Sequence, residues 1–168
     1  MSSPPPSAAT RLDQFVALSS ALTGFEQDVL SPPFDPTDPP LKQLYLATAD
    51  QHGQATVDAL LAAFDKVKGQ PPQTIANTLL EVDNPTPSAT ALMARSIIKL
   101  WYVGSWYDTT STSATDGTVV SMNAYIGGLA WVAMQAHPMG YSELKFGYWN
   151  APPPALSGVL STDEANHG

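Results

Sequence analysis

Sixteen prolines decide where this 168-residue chain can be helical. Proline lacks a backbone N–H and its ring clashes with the preceding turn, so a helix tolerates it only in its first turn. The prolines come in groups: "PPP" at 4–6, five within "SPPFDPTDPP" at 31–40, a pair at 71–72, two in "DNPTPS" at 83–88, one at 138 and three at 152–154. Between these groups, apolar residues recur at the three- and four-residue spacing of an amphipathic helix.

The first period starts at Leu12, with Asp13 placed in a first turn where a carboxylate suits the helix dipole. Phe15, Leu18 and Leu22 follow, and Gly24 is a C-terminal stop. After the proline-rich loop, Thr37 or Asp38 is predicted to cap a second helix whose face begins at Leu41, Leu44 and Tyr45. That pattern weakens near Gly53 and resumes at Val57, Leu60, Leu61 and Phe64, ending at Gly69. A short helix is expected over 73–82. A long one then carries Leu92, Met93, Ile97, Leu100, Trp101 and Gly104 on one side, with Thr90, Ala94, Arg95 and Lys99 on the other. Residues 111–118 read as a polar loop. Val119 and Val120 favour strand, whereas Met122 to Met134 are predicted as a buried helix weakened by Gly127 and Gly128. The predicted class is all-α: a disordered lead over 1–11, a helical domain over 12–137 and an irregular, partner-binding tail rich in proline and aromatics over 138–168.

Composition narrows the chemistry. The chain has no cysteine, which excludes disulfides, thiolate metal sites and a cysteine nucleophile. The formal net charge of -8 disfavours binding to a phosphate backbone. Charged residues make up 13% of the chain, about half the usual share, which suits an exported protein, a large partner, or both. The N-terminus lacks the basic and apolar regions of a secretory signal. The longest apolar run, Ala124–Met134, is too short to cross a bilayer.

The sequence shows no catalytic constellation. His52, His137 and His167 are far apart and lack metal-ligand spacing. His52 reads as exposed in a helix break and His137 as a turn residue before Pro138. No GxGxxG, P-loop or GxSxG pattern occurs. Asp108, Asp116 and Glu143 read as solvated carboxylates, so no catalytic, cofactor-binding or metal-binding residue is predicted. Two alternatives stay open: a small stand-alone hydrolase using Asp108 and a second carboxylate, and a generic helical adaptor for another exported protein.

The aromatic residues carry the functional signal. They concentrate in "IKLWYVGSWYD" at 98–108 and "KFGYWNAPPP" at 145–154. Trp101 falls on the buried stripe with Ile97 and Leu100, and Gly104 is expected to let a neighbouring segment approach. Trp106, Tyr107, Tyr148 and Trp149 lie in or beside loops, where large amphipathic rings suit an interface. A proline-rich segment carrying aromatics docks at low entropic cost. The predicted partner-binding residues are Trp106, Tyr107, Phe146, Tyr148, Trp149 and Pro152.

Four stretches, in order, resemble a known family. "LDQFVALSSALTGF" (12–25) is similar to the "LDxFxxLSxxLTG" opening of the small subunits of membrane-bound, FAD-dependent sugar and polyol dehydrogenases, which include the sorbitol, fructose and glucose enzymes. "LWYVG" (100–104) resembles that family's "AWYxG" helix, "VVSMNAYIGGLAWVAM" (119–134) its "YEEALMY" segment, and "FGYWNAPP" (146–153) its terminal "xxYWxxxP". The resemblance implies a non-catalytic subunit that holds no cofactor itself. It implies a large partner carrying FAD, a further multihaem cytochrome c subunit, and a periplasmic location attached to the inner membrane through those partners. It also implies that the small subunit escorts the large one through twin-arginine export, with the leader removed from this sequence or supplied by another component. The chain departs from the family by having Met122, Asn123, Ala124 and Tyr125 and their neighbours in place of the "YEEALMY" residues. It also lacks the cysteine that some members carry before the final motif, which excludes an intersubunit disulfide.

Overall fold

The proline-free stretches carry the helices. A computed structural model describes residues 8–108 and 117–141. Their order is α1 (Ala8–Thr23), α2 (Gln27–Leu30), α3 (Leu41–Val67), α4 (Pro72–Leu80), α5 (Ala89–Val103), β1 (Ser105–Tyr107), β2 (Gly117–Val119), α6 (Met122–Ile126) and α7 (Leu129–Ala133). The class is all-α, as the periodicity predicts. These elements lie in one unit that runs to Pro138; of a second, beginning at Met139, only Met139–Tyr141 are described. The remainder of the expected tail, and residues 1–7 of the expected lead, lie outside the described residues.

Helix α5 is the hub: it touches α1, α3, α4, α6 and α7. Phe15 and Leu18 from α1, Tyr45, Val57 and Leu60 from α3, and Ile97, Leu100 and Trp101 from α5 are buried together. Each large side chain so buried contributes about 1.5–3 kcal/mol. Trp101 meets the Tyr45 ring edge-on, with centroids 4.6 Å apart and planes at 89°. Burial pushes the Tyr45 hydroxyl above its usual range, which keeps it neutral and able to donate to the Ala124 carbonyl at 3.3 Å. Ala94, placed by periodicity on the outer side of α5, is instead fully buried. Its small side chain fits where helices approach closely.

Tertiary contacts shift several helix boundaries. Helix α1 begins at Ala8, inside the stretch expected as a lead, and Asp13 falls beyond the first turn. The reason is Arg11, whose guanidinium donates two bonds of 2.7 Å to Asp50 and one of 2.8 Å to Asp58, both on α3. These bonds, those to Asp50 first, raise the Arg11 pKa against the opposing effect of burial. Helix α2 was not legible as a period, being one turn long; its Leu30 is buried. Neither Thr37 nor Asp38 caps α3. The Asp35 carboxylate does so from six residues upstream, accepting from Leu41 N–H at 3.2 Å and from Thr37 N–H at 2.9 Å. Burial opposes the Asp35 charge, but these bonds, the Thr37 hydroxyl and nearby Lys42 together hold its carboxyl below its usual range.

The segment after α5 departs furthest from expectation. Gly104 closes α5 in the left-handed region, φ +67°, and the chain reverses into β1. Strand β1 pairs antiparallel with β2 through Ser105↔Val119, Trp106↔Thr118 and Tyr107↔Gly117. The predicted helix over 122–134 is two short helices, broken at Gly127–Gly128. The break lets the backbone lie against α5: a Cβ on Gly128 would stand 2.8 Å from the Tyr102 carbonyl oxygen.

Candidate functional site

The three resembling stretches within the described residues converge. Tyr102, in "LWYVG", donates its hydroxyl to the Thr23 carbonyl at 3.0 Å, and its ring meets Phe25 edge-on at 6.0 Å. Both partners belong to "LDQFVALSSALTGF". Gly104 seats the third stretch: a Cβ there would overlap the Ala124 carbonyl and stand 2.6 Å from Tyr125 N. Trp131 closes the segment on itself, donating Nε1–H to the Tyr125 carbonyl at 2.8 Å with its ring edge-on to Tyr125.

This end of the domain has an unusual surface. Residues 117–141 contain no Asp, Glu, Lys or Arg. Val119 of β2 is 60% exposed, Met122 of α6 61%, and Val132 of α7 is exposed as well. Val103, at the end of α5, and Met134, just past α7, add to them. Helix α5 touches both α6 and α7, and β2 touches α6, so these side chains ride on elements in mutual contact. Elsewhere, exposed apolar residues such as Phe34 and Val82 lie outside this group of elements, and single ones are ordinary. Exposed apolar side chains on adjoining elements, with no charged residue over 117–141, make this end of the described domain the candidate site.

The aromatic residues singled out from sequence divide. Trp106 is a correction: it is only 6% exposed and belongs to the core, not to an outward-facing loop. Pairing of β1 with β2 turns its side chain inward, where His52 stacks on it at 4.4 Å and 13°. Nothing in the sequence links residues 52 and 106; the kink at Gly53 (φ +156°) lies between the two halves of α3 beside that histidine. Tyr107 is half-buried on the other side of β1, with the Lys99 ammonium 5.0 Å from its ring centroid. Its carbonyl accepts from the Ser96 hydroxyl at 2.8 Å. Phe146, Tyr148, Trp149 and Pro152 lie outside the described residues.

Beside the His52–Trp106 stack is a cavity of about 230 Å³. Helix α3 contributes His52 and Thr56, α5 contributes Leu92 and Met93, and the β1 end contributes Trp106 and Asp108. Asp108, the carboxylate considered for hydrolysis, thus faces an imidazole-lined cavity, but among the described residues no second carboxylate lines it. Nor do the described residues hold a group of three or more His, Asp or Glu placed for a metal ion. His52 is exposed, and His137 lies not in a turn but in the irregular stretch 136–138 between two turns, with Nδ1 3.1 Å from the Pro138 carbonyl oxygen. No described helix is long and apolar enough to cross a membrane. Compared with protein-family models, curated proteins and solved structures, the chain matches none.

Proposed function

We propose that this chain is the non-catalytic small subunit of a periplasmic FAD-dependent sugar or polyol dehydrogenase complex. It binds and stabilises the large flavoprotein subunit and accompanies it through export. The observation that carries this reading is the uncharged, apolar surface on β2, α6 and α7, seated on α5 through Gly104 and Gly128. Leaving Val119, Met122 and Val132 in water has a cost that a partner's apolar surface would remove, about 25 cal/mol per Å² covered. The convergence of the three resembling stretches supports the same reading, because residues 12–25 and 100–104 then serve to position 119–134. Tyr107 and the tail residues Phe146, Tyr148, Trp149 and Pro152 are proposed to extend the contact. FAD resides in the partner and haem c in a further subunit, through which the complex attaches to the inner membrane.

The test is co-expression with a large FAD-dependent dehydrogenase subunit from the same source, sought first in the neighbouring reading frames. The expected result is a stable complex containing flavin, with none bound to this chain alone. A double variant, Val119→Asp with Met122→Asp, is expected to keep the helical circular-dichroism spectrum and to lose the complex, since it buries charge at an apolar contact. Trp149→Ala is expected to weaken association about thirtyfold without altering the free chain's melting temperature. A neighbouring flavoprotein that is folded, exported and active without this chain defeats the proposal. So does a double variant that binds as well as the parent.

A further inference from the structure

The chain has no cysteine, so its reaction with oxidants of sulfur falls to methionine. The described methionines divide by exposure. Met93 is buried in the core at 7%. Met122, the first residue of α6, and Met134, just past α7, are each 61% exposed. Both lie in the uncharged stretch 117–141, at the ends of helices that touch α5. Neither thioether is needed by the local backbone. Ser121 caps α6, its hydroxyl accepting from Ala124 N–H at 3.0 Å, and Met134 N–H donates to the Ala130 carbonyl at 3.0 Å. The two side chains can therefore change chemically without undoing the turns that carry them. Met139 is also exposed, but it belongs to the second unit and serves only for comparison.

We propose that Met122 and Met134 are a modification site for small hydroperoxides and that their conversion to sulfoxides closes the docking surface, a control that rests on the function proposed above. In each reaction the thioether sulfur attacks one peroxide oxygen. An S–O bond forms as the O–O bond breaks, the proton passes to the departing oxygen, and with hydrogen peroxide the leaving group is water. The sulfur loses two electrons and the peroxide gains them. A thioether suits an apolar contact because it is flexible and polarisable. A sulfoxide in the same place is polar, and burying it against an apolar partner strips its oxygen of water without supplying a donor. Enzymatic reduction restores the thioether, so the change is reversible.

The experiment treats the full chain alone with hydrogen peroxide, removes the excess with catalase and locates the added oxygen by peptide mass spectrometry. Met122 and Met134 are expected to oxidise about tenfold or more faster than Met93, as their exposure dictates. The helical circular-dichroism spectrum is expected to stay as it was. The treated chain is then mixed with a large FAD-dependent dehydrogenase subunit from the same source, and its affinity is expected to fall about tenfold or more against the untreated chain. Treatment with both methionine sulfoxide reductases, one for each epimer, is expected to restore it. The double variant Met122→Leu with Met134→Leu, compared with its own untreated form, is expected to show no such fall. Oxidation of Met93 as fast as Met122 and Met134 overturns the assignment of the site. If the untreated chain binds the flavoprotein and the oxidised chain binds it equally well, the control fails and the proposed function stands. A double variant that still loses affinity on treatment, or an affinity that the reductases do not restore, also overturns the control. An untreated chain that binds no such flavoprotein overturns the proposed function, and the control with it.

Discussion

Replacing Gly104 with alanine isolates the contact on which the C-terminal part of the domain is built. Two penalties arise there. At φ +67° an alanine side chain costs about 1–2 kcal/mol from clash with its own backbone. The added Cβ also overlaps the Ala124 carbonyl and stands 2.6 Å from Tyr125 N. Those are backbone atoms and cannot swing aside as a side-chain end would, so the overlap adds about 1–3 kcal/mol or shifts α6. Gly24 provides the control: its φ is +78°, and a Cβ there meets nothing within 4 Å. Gly24→Ala therefore carries only the backbone penalty. Both variants lose the same unfolded-state freedom of glycine, so that effect cancels between them. The expected gap is about 1–3 kcal/mol, or roughly 2–12 °C in melting temperature for a chain of this size. Far-UV circular dichroism during thermal and urea unfolding measures it. If Gly104→Ala is no less stable than Gly24→Ala, close approach of α5 to α6 is not what requires glycine at 104, and the account of how the apolar surface is seated fails.

Trp106→Ala is expected to lower stability by about 3–5 kcal/mol, as loss of a core ring does, rather than to act only on binding. Trp106→Phe should cost less than about 1.5 kcal/mol, because the indole N–H has no hydrogen-bond partner among the described residues and its removal relieves a buried donor. Urea midpoints distinguish the two, and a Trp106→Ala chain as stable as the parent would return this ring to the surface. Arg11→Met should destabilise by about 1–2 kcal/mol and lose more at low than at high salt, since it leaves Asp50 and Asp58 facing each other without their shared cation. Asp35 sets an acid limb. Its folded pKa lies below the unfolded value, so its stabilisation is fully present above about pH 4 and is lost as pH falls through the folded pKa. Asp35→Asn should flatten that limb of a stability–pH profile; an unchanged slope would count against the capping role.

Much of the fold is legible in local terms. The proline groups and the intervals at Phe15–Leu18–Leu22, Val57–Leu60–Leu61–Phe64 and Ile97–Leu100–Trp101 mark helices and their buried faces. Periodicity depends only on residues a turn or two apart, and proline acts on its own turn. The candidate site is less legible. The lack of charge over 117–141 can be counted from the chain, but not the exposure of Val119 and Met122. The Trp106 environment depends on a strand partner beyond residue 116 and on a histidine on another helix. Arg11 reads as part of an unstructured lead until α3 brings Asp50 and Asp58 to it.

By itself the sequence determined an all-α domain whose helices are bounded by proline and glycine, with Trp101 and Tyr45 on inward faces. Only the tertiary structure decided that residues 105–107 form a strand, that Trp106 is core, that the glycines at 104 and 128 are points of backbone contact, and that His52 and Asp108 line one cavity. The division follows the range of the forces. Helix formation and chain breaking are settled within a few residues, whereas strand pairing, ring stacking and close backbone approach join positions tens of residues apart. The geometry of those contacts depends on how the helices pack.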